Sequence, residues 1–177
     1  KLLILLLWCA IALSSCKTYL DVAGDGITTD YMTLKYNNNY NELDYFNKVN
    51  GVSDKEVFYT THFAINLPKG IIYWAMFDNK FYCEYDSKQL IHIYTSYKNK
   101  GKESDSWELK NIEEGSEWKY LGEYWNNKGY DEKESDVAKS TRITKLYTNG
   151  KYEILLYNIK EKNFGSFLER LKSFKVK

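Results

Sequence analysis

The sequence is poor in the residue types that most often mark a catalytic or metal site. Its 177 residues include two histidines, three cysteines and one proline. Neither His62 nor His92 lies in a recognisable motif, and the chain has no HExxH, no GxSxG, no paired cysteines and no phosphate-binding glycine loop. We therefore expect no cofactor and no metal site. Binding is a better expectation than catalysis, because enzymes usually carry a motif.

An excess of one charge sign is also missing. The 25 Lys and Arg residues face 24 Asp and Glu residues, which gives a formal net charge of +1. Nucleic-acid-binding domains are usually basic, with their lysines and arginines clustered on one face. The balanced charge and the lack of a basic stripe argue against nucleic acid as a partner.

Long apolar stretches are missing except at the start of the sequence. The run from Leu2 to Leu13 follows one basic residue, Lys1, and precedes two serines and Cys16. It is too short to cross a bilayer as a helix, which takes about 20 apolar residues. A basic residue, a short apolar segment and then small residues are typical of a secretory signal peptide.

The residues Leu13-Ser14-Ser15-Cys16 at the end of that segment resemble the bacterial lipobox. The resemblance implies a lipoprotein precursor in which residues 1–15 are removed, the Cys16 thiol carries a diacylglyceryl group and the new amino terminus is acylated, for example with palmitate. Several acyl chains give a stable anchor, whereas a single chain is marginal. The resemblance also implies a bacterial cell envelope location, at the outer membrane or the outer face of the plasma membrane.

Removal of the signal peptide would leave a neutral chain with few thiols. The net charge falls to zero because Lys1 is lost, and Cys9 is lost with it. With Cys16 lipidated, Cys83 has no cysteine partner in its own chain and cannot form an intramolecular disulfide. Its strand-like surroundings, KFYCEYD, predict a buried and inert thiol.

The rest of the chain has a length that suits one domain. We expect residues 16–38 to be a lipid-anchored tether, because they have little periodicity and contain two glycines. Residues 39–177 are expected to form a single globular domain.

Secondary-structure patterns occur in clusters of strands rather than in a strand–helix alternation. The spacing of Leu43, Phe46 and Val49 predicts a short helix over residues 39–50. Asn149-Gly150 predicts a hairpin with a type I′ turn. A C-terminal helix over 163–174, with Asn163 as N-cap, follows from an apolar face of five residues: Phe164, Phe167, Leu168, Leu171 and Phe174. Further strands are predicted over 56–67, 71–77, 81–86 and 90–97.

These patterns predict an α+β fold. It would be an antiparallel sheet of about five to seven strands, with the C-terminal amphipathic helix and a short N-terminal helix packed on it. The run FAINLP, followed by strands, a hairpin and a terminal helix, resembles the PsbP/Mog1-type sandwich. That resemblance implies a fold and carries no function.

Aromatic residues are concentrated in the polar region that precedes the hairpin. The rings that predict a ligand-binding surface are Trp107, Trp118, Tyr120, Tyr124 and Trp125. Rigid rings give a large contact area at low entropic cost, so the set suits an envelope protein or a glycan as partner. The alternative interpretation is that the same rings cover the sheet. The stretch EWKYLGEYW fits either a strand or a helical turn.

A second hypothesis is an envelope hydrolase that uses carboxylate or histidine residues on the central strands. Alternation places Glu84 and Asp86 on one face, and it points His92 away from Ile91 and Ile93. Acid–base chemistry would require the three polar side chains to converge in one cleft. The alternative is that His92 is a surface or cross-strand residue.

Overall fold

The computed structural model describes most of the chain beyond its first segment. The described residues are 18–46, 48–50, 57–59, 62–77, 79–95, 104, 106–113, 115–129 and 141–177. The expected signal peptide and Cys16 lie outside these ranges. No helix in the described part is long and apolar enough to span a membrane.

Strands outnumber helices in the described part of the chain. In chain order its elements are α1 (Leu20–Ala23), β1 (Gly26–Thr28), β2 (Met32–Tyr36), β3 (Asn41–Tyr45), β4 (Lys48–Asn50), β5 (Val57–Tyr59), β6 (Phe63–Leu67), β7 (Ile71–Phe77), β8 (Lys80–Tyr85), a 3-10 turn (Asp86–Lys88), β9 (Gln89–Thr95), β10 (Glu108–Lys110), α2 (Glu117–Lys128), β11 (Arg142–Thr148), β12 (Tyr152–Lys160), α3 (Glu161–Leu171) and β13 (Lys175–Val176).

Two antiparallel sheets organise the molecule. The five-stranded sheet has the order β1-β2-β3-β6-β13, and the six-stranded sheet has the order β10-β11-β12-β9-β8-β7. A separate two-stranded sheet pairs β4 with β5. The α+β class expected from the sequence is confirmed, with the strands divided between two large sheets rather than placed in one.

The helix expected over residues 39–50 is wrong, because this region forms β3 and β4. Asn41, Leu43 and Tyr45 are buried and alternate with partly exposed residues, which is the two-residue period of a strand. Leu43 fits both this alternation and the helical spacing. A stretch of only 12 residues therefore does not distinguish the two-residue period of a strand from the 3.6-residue period of a helix. The short N-terminal helix of the fold is α1 instead.

The strand expected over residues 56–67 is also divided. Its first part forms β5 in the small sheet, and its second part forms β6, which lies between β3 and β13 in the five-stranded sheet. Phe63, Ile65 and Leu67 are buried there, as the predicted alternation requires.

The main core lies between the two large sheets. Leu34 and Leu43 reach it from the first sheet, and Phe81, Ile91 and Ile154 reach it from the second. Helix α3 closes the core with the apolar face that the sequence predicted, since Phe167 and Leu171 are buried in it and Phe164, Leu168 and Phe174 pack against it. The helix begins earlier than expected, with Lys160 rather than Asn163 at its N-cap.

A second core lies on the other face of the six-stranded sheet, beneath α2. Its buried members are Tyr82, Leu90, Leu121, Tyr124, Trp125, Leu146, Leu155 and Tyr157. When both faces of a sheet are covered, the side chains on both faces of its central strands are buried. Such strands therefore appear in the sequence as continuous apolar runs. The stretches LIHIYT in β9 and EILLYNI in β12 have this character.

The region expected to be a tether contributes to the folded domain. Residues 20–36 include α1, β1 and β2, and Leu34 of β2 pairs with Leu43 of β3. The ordered domain therefore begins before residue 39, the boundary expected from the sequence.

The C-terminal hairpin is confirmed, with a different turn. Thr148 pairs with Glu153 across it. Gly150 has a φ of 90°, whereas Asn149 has no positive φ, so the turn is not type I′. Glycine at the first central position, followed by Lys151, fits type II′.

Candidate functional site

The five aromatic residues expected to form one surface lie in two separate places. Trp107 stacks on Tyr147, with ring centroids 4.6 Å apart, and packs against the main core through Phe174. The other four rings belong to α2, which covers the opposite face of the six-stranded sheet. Trp107 therefore cannot share a binding surface with them.

Most of the ring surface on α2 faces inwards. Tyr124 and Trp125 are buried, the latter with 5% of its surface exposed, and both belong to the second core. Trp118 and Tyr120 are partly exposed and pack against the same core. The rings of α2 thus cover the sheet, which was the alternative interpretation, and the helical alternative for EWKYLGEYW is the observed one.

His92 lies beneath α2 with 2% of its surface exposed, so it is not a surface residue. Its ring stacks on Tyr82 at a centroid distance of 4.5 Å, and neither ring nitrogen has a hydrogen-bond partner among the described residues. Burial and, as a smaller effect, the nearby charge of Lys80 lower the pKa of His92 to about 3. The imidazole is therefore held neutral.

Glu84 lies on the same face of the sheet as His92 but makes its own network. Its carboxylate accepts a short hydrogen bond from the Tyr124 hydroxyl and pairs with Lys128, whose Nζ is 3.1 Å away. Lys128 also lies 3.5 Å above the ring of Tyr73. These contacts tie α2 to the edge of the sheet.

Asp86 is in a different part of the molecule. It begins the 3-10 turn after β8, and its Oδ2 lies 3.3 Å from the Nζ of Lys160. Glu84 and Asp86 therefore do not share a strand face, and the three side chains that the hydrolase hypothesis needs in one cleft are not brought together.

A cavity of about 480 Å³ opens beside Asp86, at the end of the sandwich. Four segments meet there: α1, the loop before β7, the 3-10 turn with the start of β9, and the first turn of α3. The lining residues are Tyr19, Asp21, Val22, Lys69, Gly70, Tyr85, Asp86, Gln89, Lys160, Lys162, Asn163 and Phe167. The volume is within the range of small-molecule sites, roughly 300–1,000 Å³.

Asp21 fixes α1 as one wall of the cavity. Its Oδ2 accepts hydrogen bonds from the Gly70 amide at 2.6 Å and from Asn41 Nδ2 at 2.8 Å. The Nζ of Lys69 lies 3.6 Å from the same oxygen and donates to the Asp21 carbonyl at 3.2 Å. Asp21 is buried, so this four-residue helix is held by charge-assisted hydrogen bonds rather than by its own length.

Gln89 fixes the first turn of α3 as the opposite wall. Its side-chain oxygen accepts from the Lys160 amide at 2.9 Å and from Asn163 Nδ2 at 3.1 Å, and its Nε2 donates to the Asp86 carbonyl at 2.9 Å. No side chain caps the N-terminus of α3. The first amide groups of a helix have no partner within the helix, and the helix dipole makes this end electropositive.

The turn beside the cavity has an uncommon backbone. Ser87, Lys88 and Asn158 are non-glycine residues with φ between 53° and 60°. The Asn158 side chain donates to the carbonyls of Ser87 and Lys88 at 3.3 and 3.0 Å, which holds the turn in this left-handed conformation. The position of Asp86 next to it is therefore well defined.

The charges of the lining do not cancel. Lys69 pairs with Asp21 and Lys160 pairs with Asp86, whereas Lys162 has no ion-pair partner among the described residues. Lys162 lies in the first turn of α3, at the electropositive end of the helix dipole. Among the lining residues there is no serine, cysteine or histidine. The arrangement suits binding of an anionic group and lacks the usual nucleophile or proton shuttle.

Sequence reasoning missed this cavity, because Asp21 lies in the segment expected to be a tether, and Lys160 and Lys162 lie between the predicted hairpin and the predicted helix. A buried acid in LDVAG could have suggested an ordered segment, but its partners follow it by 20 positions or more. Comparison of the chain with protein-family models, with curated proteins and with solved structures found no match.

Proposed function

We propose that the protein is a lipoprotein of the bacterial cell envelope, anchored through Cys16, whose domain binds a small ligand with an anionic group and does not catalyse a reaction. The cavity between α1 and α3 carries the binding part of the proposal. The lipobox-like residues before Cys16 carry the anchoring part.

The ligand class follows from the lining charges. An anion placed at the first turn of α3 would meet Lys162, the electropositive end of the helix dipole and the amide side chain of Asn163. Phosphate and carboxylate groups bind at such helix ends because the backbone donors and the dipole act together. Tyr19, Tyr85 and Phe167 would contact the less polar part of the ligand.

A thermal-shift experiment on the full chain in detergent tests the binding proposal. We expect inorganic phosphate and glycerol phosphate to raise the melting temperature and a neutral N-acetyl sugar to leave it unchanged, because a ligand that binds the native state stabilises it. Lys162→Ala should remove the effect. Lys172→Ala, at the other end of α3 and paired with Glu169, is the matched control and should retain it. Equal shifts for the two variants would contradict the proposal.

The anchoring proposal has a separate test. Cys16→Ala in a bacterial host should abolish labelling by a radioactive fatty acid and should move the chain out of the membrane fraction. Cys83→Ser should leave labelling intact, because that thiol is buried and burial raises its pKa. Continued labelling of Cys16→Ala would overturn the anchor.

A further inference from the structure

Strand β7 differs from the other outer strands of the two large sheets. It lies at the end of the six-stranded sheet and, in the described part of the chain, pairs with β8 alone. Its sequence, IIYWAMF, has seven residues and no charge. From Ile72 to Phe77 every residue is at least partly exposed, and Tyr73 has 42% of its surface exposed.

The other outer strands are short or charged. Strand β1 has three residues, β13 has two and includes Lys175, and β10 has three with Glu108 and Lys110 at its ends. Short length and charge are the usual means by which natural sheets prevent edge-to-edge pairing. Strand β7 has a different protective feature, a register shift between Ile71 and Tyr73. This shift leaves Tyr73–Phe77 in regular pairing with β8.

The geometry points to β7 as the site where two copies of this chain pair edge to edge, as antiparallel strands about a two-fold axis. The axis would pass near Trp74, so that Tyr73 of one copy lies opposite Ala75 of the other and the two six-stranded sheets become continuous. Such an interface uses the same strand from both copies and therefore closes on itself. The unpaired amide and carbonyl groups of β7 supply the hydrogen bonds.

The charges around β7 favour a second copy as the occupant. Lys80 lies 2.6 Å from Glu123, and Lys128 lies 3.1 Å from Glu84, so the charged side chains on the α2 side of the strand are already paired within the chain. Among the described residues, an identical strand thus meets no uncompensated charge, and like charges are not placed opposite each other. Anchoring to one membrane would further raise the local concentration of copies.

Thiol cross-linking of the full chain in bacterial membranes tests this pairing. Ala75→Cys, treated with a short bifunctional maleimide, should give a product of twice the chain mass, because directly opposed and diagonal strand neighbours lie within about 8 Å. Leu109→Cys is the matched control: it lies in β10 at the other edge of the same sheet with 42% exposure, and it should give only the background of the unsubstituted chain. A dimer band several-fold above that background is the expected result.

Three further variants keep the test decisive. Tyr73→Cys replaces an exposed side chain and should cross-link even if Ala75→Cys does not fold, and protection of Cys83 from thiol reagents shows that a variant is folded. Tyr73→Lys combined with Ala75→Cys should lose the product, whereas Tyr31→Lys, at a similarly exposed tyrosine, should not. The pairing is overturned if folded cysteine variants in β7 give no more dimer than Leu109→Cys, or give a product of a different mass.

Discussion

At the scale of single residues, the buried imidazole of His92 makes the stability of the domain sensitive to acid. Its pKa in the folded chain is about 3, below the ordinary value of about 6.5 that the unfolded chain would have. The unfolded state therefore binds a proton first as the pH falls. The stabilising effect of a neutral His92 is complete above pH 6.5 and is lost progressively between pH 6.5 and 3.

His92→Phe should remove this part of the acid sensitivity. The ring can keep its stacking on Tyr82, and two unpartnered nitrogens leave the interior. Relative to the parent, the variant should gain up to about 1.4 kcal/mol in free energy of unfolding for each pH unit below 6.5. Urea unfolding at pH 7, 6, 5 and 4 measures the difference. A constant difference at all four values would show that His92 does not titrate on unfolding.

The position of a whole element, helix α1, depends on one side chain, because the carboxylate of Asp21 holds the helix in place. Asp21→Ala would leave the Gly70 amide and the Asn41 side-chain amide without their acceptor, at a cost of about 2 kcal/mol or more. We expect a lower free energy of unfolding and loss of phosphate binding, since one wall of the cavity is released. Asp25→Ala, which removes an exposed carboxylate outside the cavity lining, should change neither. Equal effects of the two substitutions would exclude a specific role of the carboxylate.

At the scale of elements, the two main helices contain glycines in opposite situations. Gly165 of α3 has open space where a Cβ would lie, so Gly165→Ala should stabilise the domain by about 1 kcal/mol through helix propensity. A Cβ at Gly122 of α2 would lie 2.9 Å from Trp118 Nε1, so Gly122→Ala must displace that ring. We expect Gly122→Ala to gain less than Gly165→Ala and to shift the tryptophan fluorescence. Thermal unfolding and emission spectra of both variants measure this, and identical behaviour would contradict the packing of Trp118 over Gly122.

At the scale of the whole molecule, the anchor that we propose at Cys16 would lie close to the domain. Helix α1 begins at Leu20, so a lipid on Cys16 would hold it within about 14 Å of the anchored residue, at about 3.5 Å per residue. A dye on Val22→Cys should therefore transfer energy efficiently to dye-labelled lipid headgroups. Insertion of a flexible Gly/Ser segment between Lys17 and Thr18 should reduce the transfer. Equal transfer with and without the insertion would show that the length of the segment after Cys16 does not set the distance between the domain and the bilayer.

Features of the fold could be predicted from the sequence where the interacting residues are close together along the chain. Helix α3 and the last hairpin were predictable because their signals, Phe164 to Phe174 and Asn149-Gly150, are local. The cavity was not, because Asp21, Lys69 and Lys160 come from distant segments that only the sheet topology brings together. The burial of His92 also depends on α2, which covers the sheet from a later part of the chain.

The order of the elements along the chain has a consequence for the timing of folding. Strand β13 pairs with β6, and α3 supplies Phe167 and Leu171 to the main core, although both follow all the other strands in sequence. The sandwich cannot close until residues 161–176 have been synthesised, because a chain that ends before them lacks part of its hydrophobic core. We expect such a chain to stay open during synthesis, which suits the export that the proposed envelope location requires.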